Sequence, residues 1–229
     1  LPRERRQLRG QLRRLRDRTP LEPTHARLEP VDQLVCTILS QNTTDAARDR
    51  AFADLKAAYA DWPAVLDAPT AEVEQIIRGC GLANQKAPRI QRALRAALEA
   101  TPPGRPPSLD FLRGRPPAEA RAWLTAIDGI GVKTASIVML FALDLPALPV
   151  DTHVHRVAGR LGLIGSKTTA ERAHDLLEAI VPAVDYLPFH LALIHHGRTV
   201  CKARRPACDD CALADLCDWR ASGAVAGGP

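Results

Sequence analysis

Three groups of residues in this chain have the types and spacing that chemistry needs. The first lies in DGIGVKTASIV, residues 128–138, where two glycines flank one isoleucine and Lys133 follows at the head of an apolar segment. An ammonium at a helix start faces the positive end of the helix dipole, a poor place for it on stability grounds. Between that dipole and an apolar wall, its pKa is expected to fall, leaving more of the neutral amine that can attack a carbon. The second is Asp151 in PVDTHVHRVAGRLG. It stands where a helix begins, so it reads as an N-cap, and a buried cap carboxylate can also act as an acid–base or electrostatic partner.

The third group is Cys201, Cys208, Cys211 and Cys217, spaced C-x6-C-x2-C-x5-C. Two disulfides would suit a small secreted chain, but this one is neither small nor disulfide-dense. Structural zinc normally shows two separated C-x2–4-C pairs, so an iron–sulfur cluster is the better fit and zinc stays open. The loop between the first two cysteines carries Lys202, Arg204 and Arg205, a compact basic lobe suited to phosphate contact. Cys36 and Cys80 lie on apolar helical stretches and read as small core residues.

These groups need a frame, and the pattern supplies helices almost throughout. Val31, Leu34, Val35, Ile38 and Leu39 share one helical face behind Pro30. SQNTT interrupts that helix, and Thr44 or Asp45 caps the next, which turns Phe52 and Leu55 inward. AEVEQIIRGCGL ends a helix on Gly79 and Gly81, and NQKAPRIQRALRAALEA forms another. TPPGRPPSLDFLRGRPP, residues 101–117, holds six prolines and reads as a loop with one short turn at Ser108–Leu112. AEARAWLTAI and VKTASIVMLFAL flank the DGIG turn. Gly129 and Gly131 are both expected to be free for positive φ and close approach of a partner, with Ile130 tucked inward. The free N–H groups of the second helix then make an anion site, and Asp128 either softens phosphate binding or caps that helix. A helix–hairpin–helix of this kind grips a nucleic-acid phosphate without reading a base. No stretch alternates with a period of two, and the tail ASGAVAGGP reads as mobile.

Composition bounds the rest. At 229 residues, 46% apolar and 25% charged, the chain holds one large or two modest globular domains. There is no apolar run of about 18 residues, so no membrane span is expected. Net charge is +5, and residues 1–18 concentrate Arg3, Arg5, Arg6, Arg9, Arg13, Arg14, Arg16 and Arg18. Leu8, Leu12 and Leu15 make this an amphipathic helix whose basic face serves solvent or a polyanion equally well. The chain starts at Leu1 and its one methionine is Met139, so it reads as a trimmed product in which no targeting segment is visible.

Taken together, ILSQNTTD, GLANQKA, DGIGVKTA, VDTHVHR, HHGRTVC and the cysteine loop resemble the endonuclease III family, the helix–hairpin–helix base-excision DNA glycosylases with a [4Fe–4S] cluster. The resemblance runs from about residue 30 to Cys217. It implies an all-α, two-domain enzyme: a six-helix barrel domain at 23–145 with the hairpin motif at about 120–142, and a cluster domain from 1–22 plus 146–229. It implies that Lys133 attacks the sugar C1′ to form a Schiff base, releasing the base and nicking the strand by β-elimination, with Asp151 as catalytic aspartate. Cys201, Cys208, Cys211 and Cys217 match the cluster ligands. Gln41 and Asn42 lie in the loop that fills the gap left by a flipped nucleotide, and Leu82 matches a hydrophobic wedge. The implied substrate is double-stranded DNA with damaged bases, mainly oxidised pyrimidines, or abasic sites, bound by a cytoplasmic, nucleoid-associated monomer. A related adenine or mismatch glycosylase and a non-enzymatic DNA-binding module are the alternatives. Adenine enzymes lack a lysine at the position of Lys133 and carry a further C-terminal domain, whereas only 12 residues follow Cys217 here. Two departures stand out: Ile127–Asp128 precede the hairpin glycines where the family often has Leu-Pro, and Gln-Asn replaces the common Ala-Gln of the gap-filling loop.

Overall fold

The computed structural model describes residues 8, 10–15, 17, 18 and 27–223, and no strand occurs among them. Residue 8 and residues 10–15 are helical and form α1; of the basic residues expected on its outer face, Arg3, Arg5, Arg6, Arg9 and Arg16 lie outside the described residues. The chain splits into two compact units, Arg27–Leu145 and Leu1–Ala26 with Pro146–Pro229.

The unit Arg27–Leu145 contains α2 (Pro30–Leu39), α3 (Asp45–Ala58), α4 (Trp62–Asp67), α5 (Thr70–Ile76), α6 (Ala83–Glu99), α7 (Pro117–Thr125) and α8 (Val132–Ala142). The shortest of these is the six-residue α4. Its centre is α2, whose Leu34, Val35, Ile38 and Leu39 are completely buried against α8, α6 and α3. Burial of that continuous apolar stripe is the main favourable term holding the unit together. Thr44, not Asp45, caps α3 by accepting from the Ala47 N–H. Leu55 is buried as expected, while Phe52 is half-buried and packs on Trp62 with ring centroids 6.2 Å apart. Cys80 is buried, but Cys36 is only half-buried, at odds with a plain core role. Helix α5 stops at Ile76, and Arg78–Cys80 tighten into a 3-10 turn before Gly81.

The proline-rich stretch packs as part of the unit. Its short turn falls at Asp110–Leu112, and Leu109 and Leu112 enter the core. Phe111 meets Trp123 of α7 edge-on at 5.0 Å. Thr101 Oγ1 donates to the Ala97 carbonyl and accepts from the Ser108 N–H, closing the stretch onto the end of α6.

The second unit contains α1 with α9 (Thr152–Arg160), α10 (Ala170–Ile180), α11 (Tyr186–Thr199) and the four-residue α12 (Asp218–Ala221). Leu8, Leu12 and Leu15 are buried, as the leucine spacing requires. On α1, Gln11 donates to the Leu216 carbonyl, and Arg14 pairs with Asp215, anchoring the cysteine loop. Helices α9 and α11 pack closely at Gly197, where a Cβ would stand 3.0 Å from that of His153. The tail expected to be mobile begins inside α12 at Ala221, and residues 224–229 lie outside the described residues. No single helix among the described residues is long and apolar enough to cross a membrane.

Candidate active site and four-cysteine loop

Helices α7 and α8 form the expected hairpin, with Ile127 and Ile130 buried beneath the turn. Gly129 has φ +86, a conformation that glycine adopts without strain. Gly131 differs from expectation: its φ is −87, it is the N-cap of α8, and nothing lies within 4 Å of a Cβ placed there. A side chain would therefore fit at 131 without a clash. No side chain caps α8, so the N–H groups of its first turn lack that partner and remain available to an anion. Asp128 does not cap the helix; it pairs with Arg92 of α6 at 3.0 Å. That ion pair draws its charge away from the helix start.

Lys133 is the second residue of α8 and half-buried. Among the described residues it has no ion pair or hydrogen-bond partner, an unusual state for a lysine that is partly covered. Beside it, Gln41 Nε2 reaches toward the Gly129 carbonyl and Thr134 Oγ1, each at 3.5 Å. Gln41 Oε1 accepts from Arg89 of α6 at 2.9 Å. Gln41 is thus turned into the protein, tying its loop to the hairpin. Asn42, its neighbour, is exposed and left-handed with φ 51. Leu82 shares that φ of 51 and is 41% exposed. Asparagine tolerates this region, whereas an exposed leucine held there is strained.

In the second unit, Asp151 caps α9, its Oδ1 accepting from the Val154 N–H at 2.7 Å. Its Oδ2 has no partner among the described residues. The segment leading to it is fixed by three side chains that sequence reasoning passed over. The Leu148 N–H donates to Glu178, the Leu148 carbonyl accepts from His174 Nδ1, and the Pro149 carbonyl accepts from His190 Nδ1. A carbonyl can only accept, so both imidazoles carry their proton on Nδ1. The apolar pattern around these histidines masked their polar role.

The four cysteines of the loop are all free thiols and line one cavity. No group of three or more Cys, His, Asp or Glu side chains among the described residues is arranged for a single metal ion. Burial first, then Cys201 and Cys217, push the Cys208 thiol above its ordinary pKa; Cys211 is raised by burial, eased by the Leu213 N–H, with the other three thiols adding to the rise. Four thiolates drawn to one centre would repel one another unless positive charge stood between them, which the iron of a cluster would supply. The surroundings suit such a group. Arg160 donates to Cys201 Sγ at 3.3 Å, the Leu213 N–H donates to Cys211 Sγ at 3.4 Å, and Trp219 stacks on Arg160 at 4.4 Å. His196 lies 3.6 Å from Cys211 Sγ, and burial lowers its pKa to about 4, so it is neutral there. Arg156 and Arg160, both on α9, bind the carbonyls of Cys201, Lys202 and Ala203. Lys202, Arg204 and Arg205 are exposed beyond them, with Arg205 left-handed at φ 50.

Residues 35–183, more than half of the chain, match the HhH-GPD superfamily of base excision DNA repair proteins, and residues 201–217 match the iron-sulfur binding domain of endonuclease III. The chain is 34% identical to endonuclease III of Escherichia coli strain K12 over 91% of its length and 93% of that protein's. It is 34% identical to endonuclease III of Sulfolobus acidocaldarius over 81% of its length and 80% of that protein's. A trapped endonuclease III–DNA covalent intermediate superposes with a TM-score of 0.79 at 30% identity, covering 96% of this chain and 98% of that one. A thermostable thymine-DNA glycosylase shares the fold with a TM-score of 0.76 at 22% identity, covering 96% and 98%. The chain therefore belongs to the endonuclease III family: it is a DNA glycosylase and AP lyase of base excision repair that carries a [4Fe–4S] cluster.

Proposed function

We propose that this enzyme removes oxidised bases, mainly pyrimidines, from duplex DNA through an imine on Lys133. The neutral amine of Lys133 attacks C1′, a C1′–N bond forms, and the base leaves with the glycosidic electron pair and takes up a proton. Loss of the amine proton and ring opening give the imine. Removal of a C2′ proton then expels the 3′-phosphate, and water returns the amine. Asp151 serves the charged states: its Oδ2 is available to take the proton from nitrogen or to stabilise positive charge on the sugar. The hairpin at Gly129 and Gly131 and the uncapped start of α8 hold a phosphate. Asn42, rather than the inward-turned Gln41, fills the space of the flipped nucleotide, and Leu82 wedges beside it.

Cys201, Cys208, Cys211 and Cys217 hold the cluster, and Lys202, Arg204 and Arg205 present positive charge to the backbone. On this reading Arg27–Leu145 is the barrel domain and the other unit the cluster domain. The protein works as a cytoplasmic, nucleoid-associated monomer on damaged or abasic duplexes.

The observation that carries the chemistry is Lys133 itself, half-buried at an uncapped helix start without a partner among the described residues. The trapped covalent complex of a 30% identical relative supports it. Borohydride added during turnover should leave wild-type protein covalently bound to an abasic duplex. Lys133→Gln should give neither trapping nor nicking, while gaining from a few tenths to ~1 kcal/mol of stability. Parental trapping by the Gln variant would assign the nucleophile to another amine. A panel of duplexes with one lesion each, scored separately for base release and nicking, tests the pyrimidine preference.

A further inference from the structure

Lys86, on the first turn of α6, is fully buried, with 0% of the residue exposed. Its ammonium has no carboxylate partner among the described residues. It donates to the Leu39 carbonyl and to the Cys80 carbonyl, each at 2.8 Å, and lies 3.6 Å from Cys80 Sγ. Leu39 is the last residue of α2, and Cys80 ends the 3-10 turn. Both carbonyls belong to the orphan acceptors that a helix leaves at its negative end, which is where a buried cation is best solvated by backbone.

A core lysine is a costly way to satisfy two carbonyls, because its charge must leave water. What lies just beyond each carbonyl accounts for it. Three residues after Leu39 the chain turns left-handed at exposed Asn42, and two residues after Cys80 it turns left-handed at exposed Leu82. One ammonium thus grips the roots of both loops.

We propose that Lys86 is a positioning residue for base extrusion, fixing the spacing of the Asn42 and Leu82 loops so that they enter the duplex as one unit. This rests on the reading of Asn42 and Leu82 as the groups that fill the duplex. Lys86 touches neither DNA nor Lys133; it acts through those two side chains. Its contribution appears in the extruded state, after encounter, so it should register in kcat with KM little changed.

The test is a mutant cycle on a duplex bearing one thymine glycol. Lys86→Met removes all three donors while keeping chain length and should lower kcat for base release by about 10-fold or more, the scale of a misplaced contact. In an Asn42→Ala/Leu82→Ala background the same change should cost no more than about twofold, because the two side chains it acts through are already gone. Nicking of an abasic site in a single strand, where no partner strand needs probing, should stay at the wild-type rate. An equal loss in both backgrounds, or a parallel loss on single strands, overturns the proposal and leaves Lys86 an ordinary core residue. If Asn42→Ala and Leu82→Ala each leave duplex kcat intact, the reading of the two probes fails first, whatever Lys86→Met does. Should Lys86→Met fail to fold, Lys86→Gln, neutral but with a donor of shorter reach, takes its place in the same cycle.

Discussion

The stem of Arg89 occupies the space that a side chain on Gly129 would need: a Cβ there would stand 2.8 Å from both its Cγ and its Cδ. The same arginine donates to Gln41, so the hairpin turn and the Gln41–Asn42 loop are set against one side chain of α6. Gly129→Ala should therefore cost more than the usual ~1–2 kcal/mol of an L-residue forced to positive φ, since Arg89 must also move. Denaturant midpoints measure the first effect. Duplex affinity should fall as well, because Gln41 loses its support. An alanine variant as stable as the parent would show that the turn can relax to negative φ.

The cap role of Asp151 and its proposed chemical role can be separated. Asp151→Asn keeps an oxygen for the Val154 N–H, so stability should fall by no more than about 1 kcal/mol. Turnover should fall by ~10²-fold or more if the charge serves the reaction. Near-normal single-turnover rates in the Asn variant would reduce Asp151 to a cap.

The basic lobe is testable by salt titration. Arg204→Ala should weaken every duplex alike and flatten the log–log salt slope by about 1 for each phosphate that the arginine neutralises in the parent. Arg205 sits at φ 50, so Arg205→Gly removes its charge without straining the backbone. An unchanged slope in protein that keeps its cluster absorbance would make both arginines solvated loop residues.

Lys86 also predicts a pH dependence of stability. Burial, opposed in part by Cys80, holds its pKa below the ordinary 10.5, and Arg89 adds to the lowering. Between the folded value and 10.5 the unfolded chain binds the extra proton, so stability from this site rises with pH in that window. The stability of wild type relative to Lys86→Met should shift in favour of wild type as pH approaches 10.5 from below. A shift the other way would mean that the folded site raises the pKa.

Helix content, the α2 stripe, the hairpin and the leucines of α1 were legible because each follows from a local period or a turn residue. Lys133, Asp151 and the cysteines stood out by type and spacing. Lys86 and Arg89 did not, since in sequence they look like the polar face of an amphipathic helix. Their meaning depends on Leu39, Cys80, Gln41 and Gly129, which come from other helices and turns. His174 and His190 were hidden for the same reason, as their acceptors are backbone carbonyls 26 and 41 residues away. Phe111 meeting Trp123 could not be read from prolines alone, because proline marks where a chain cannot be regular and not where it docks.

Helix α9 carries Asp151 at its head and, from Arg156 and Arg160, holds the carbonyls of Cys201, Lys202 and Ala203. Nine helical residues span about 13 Å, which separates the carboxylate cap from the loop contacts. Loss of the loop would therefore strip those two guanidiniums of these carbonyl partners, while the carboxylate at the head stays held by the Val154 N–H and by the anchored Leu148–Pro149 segment.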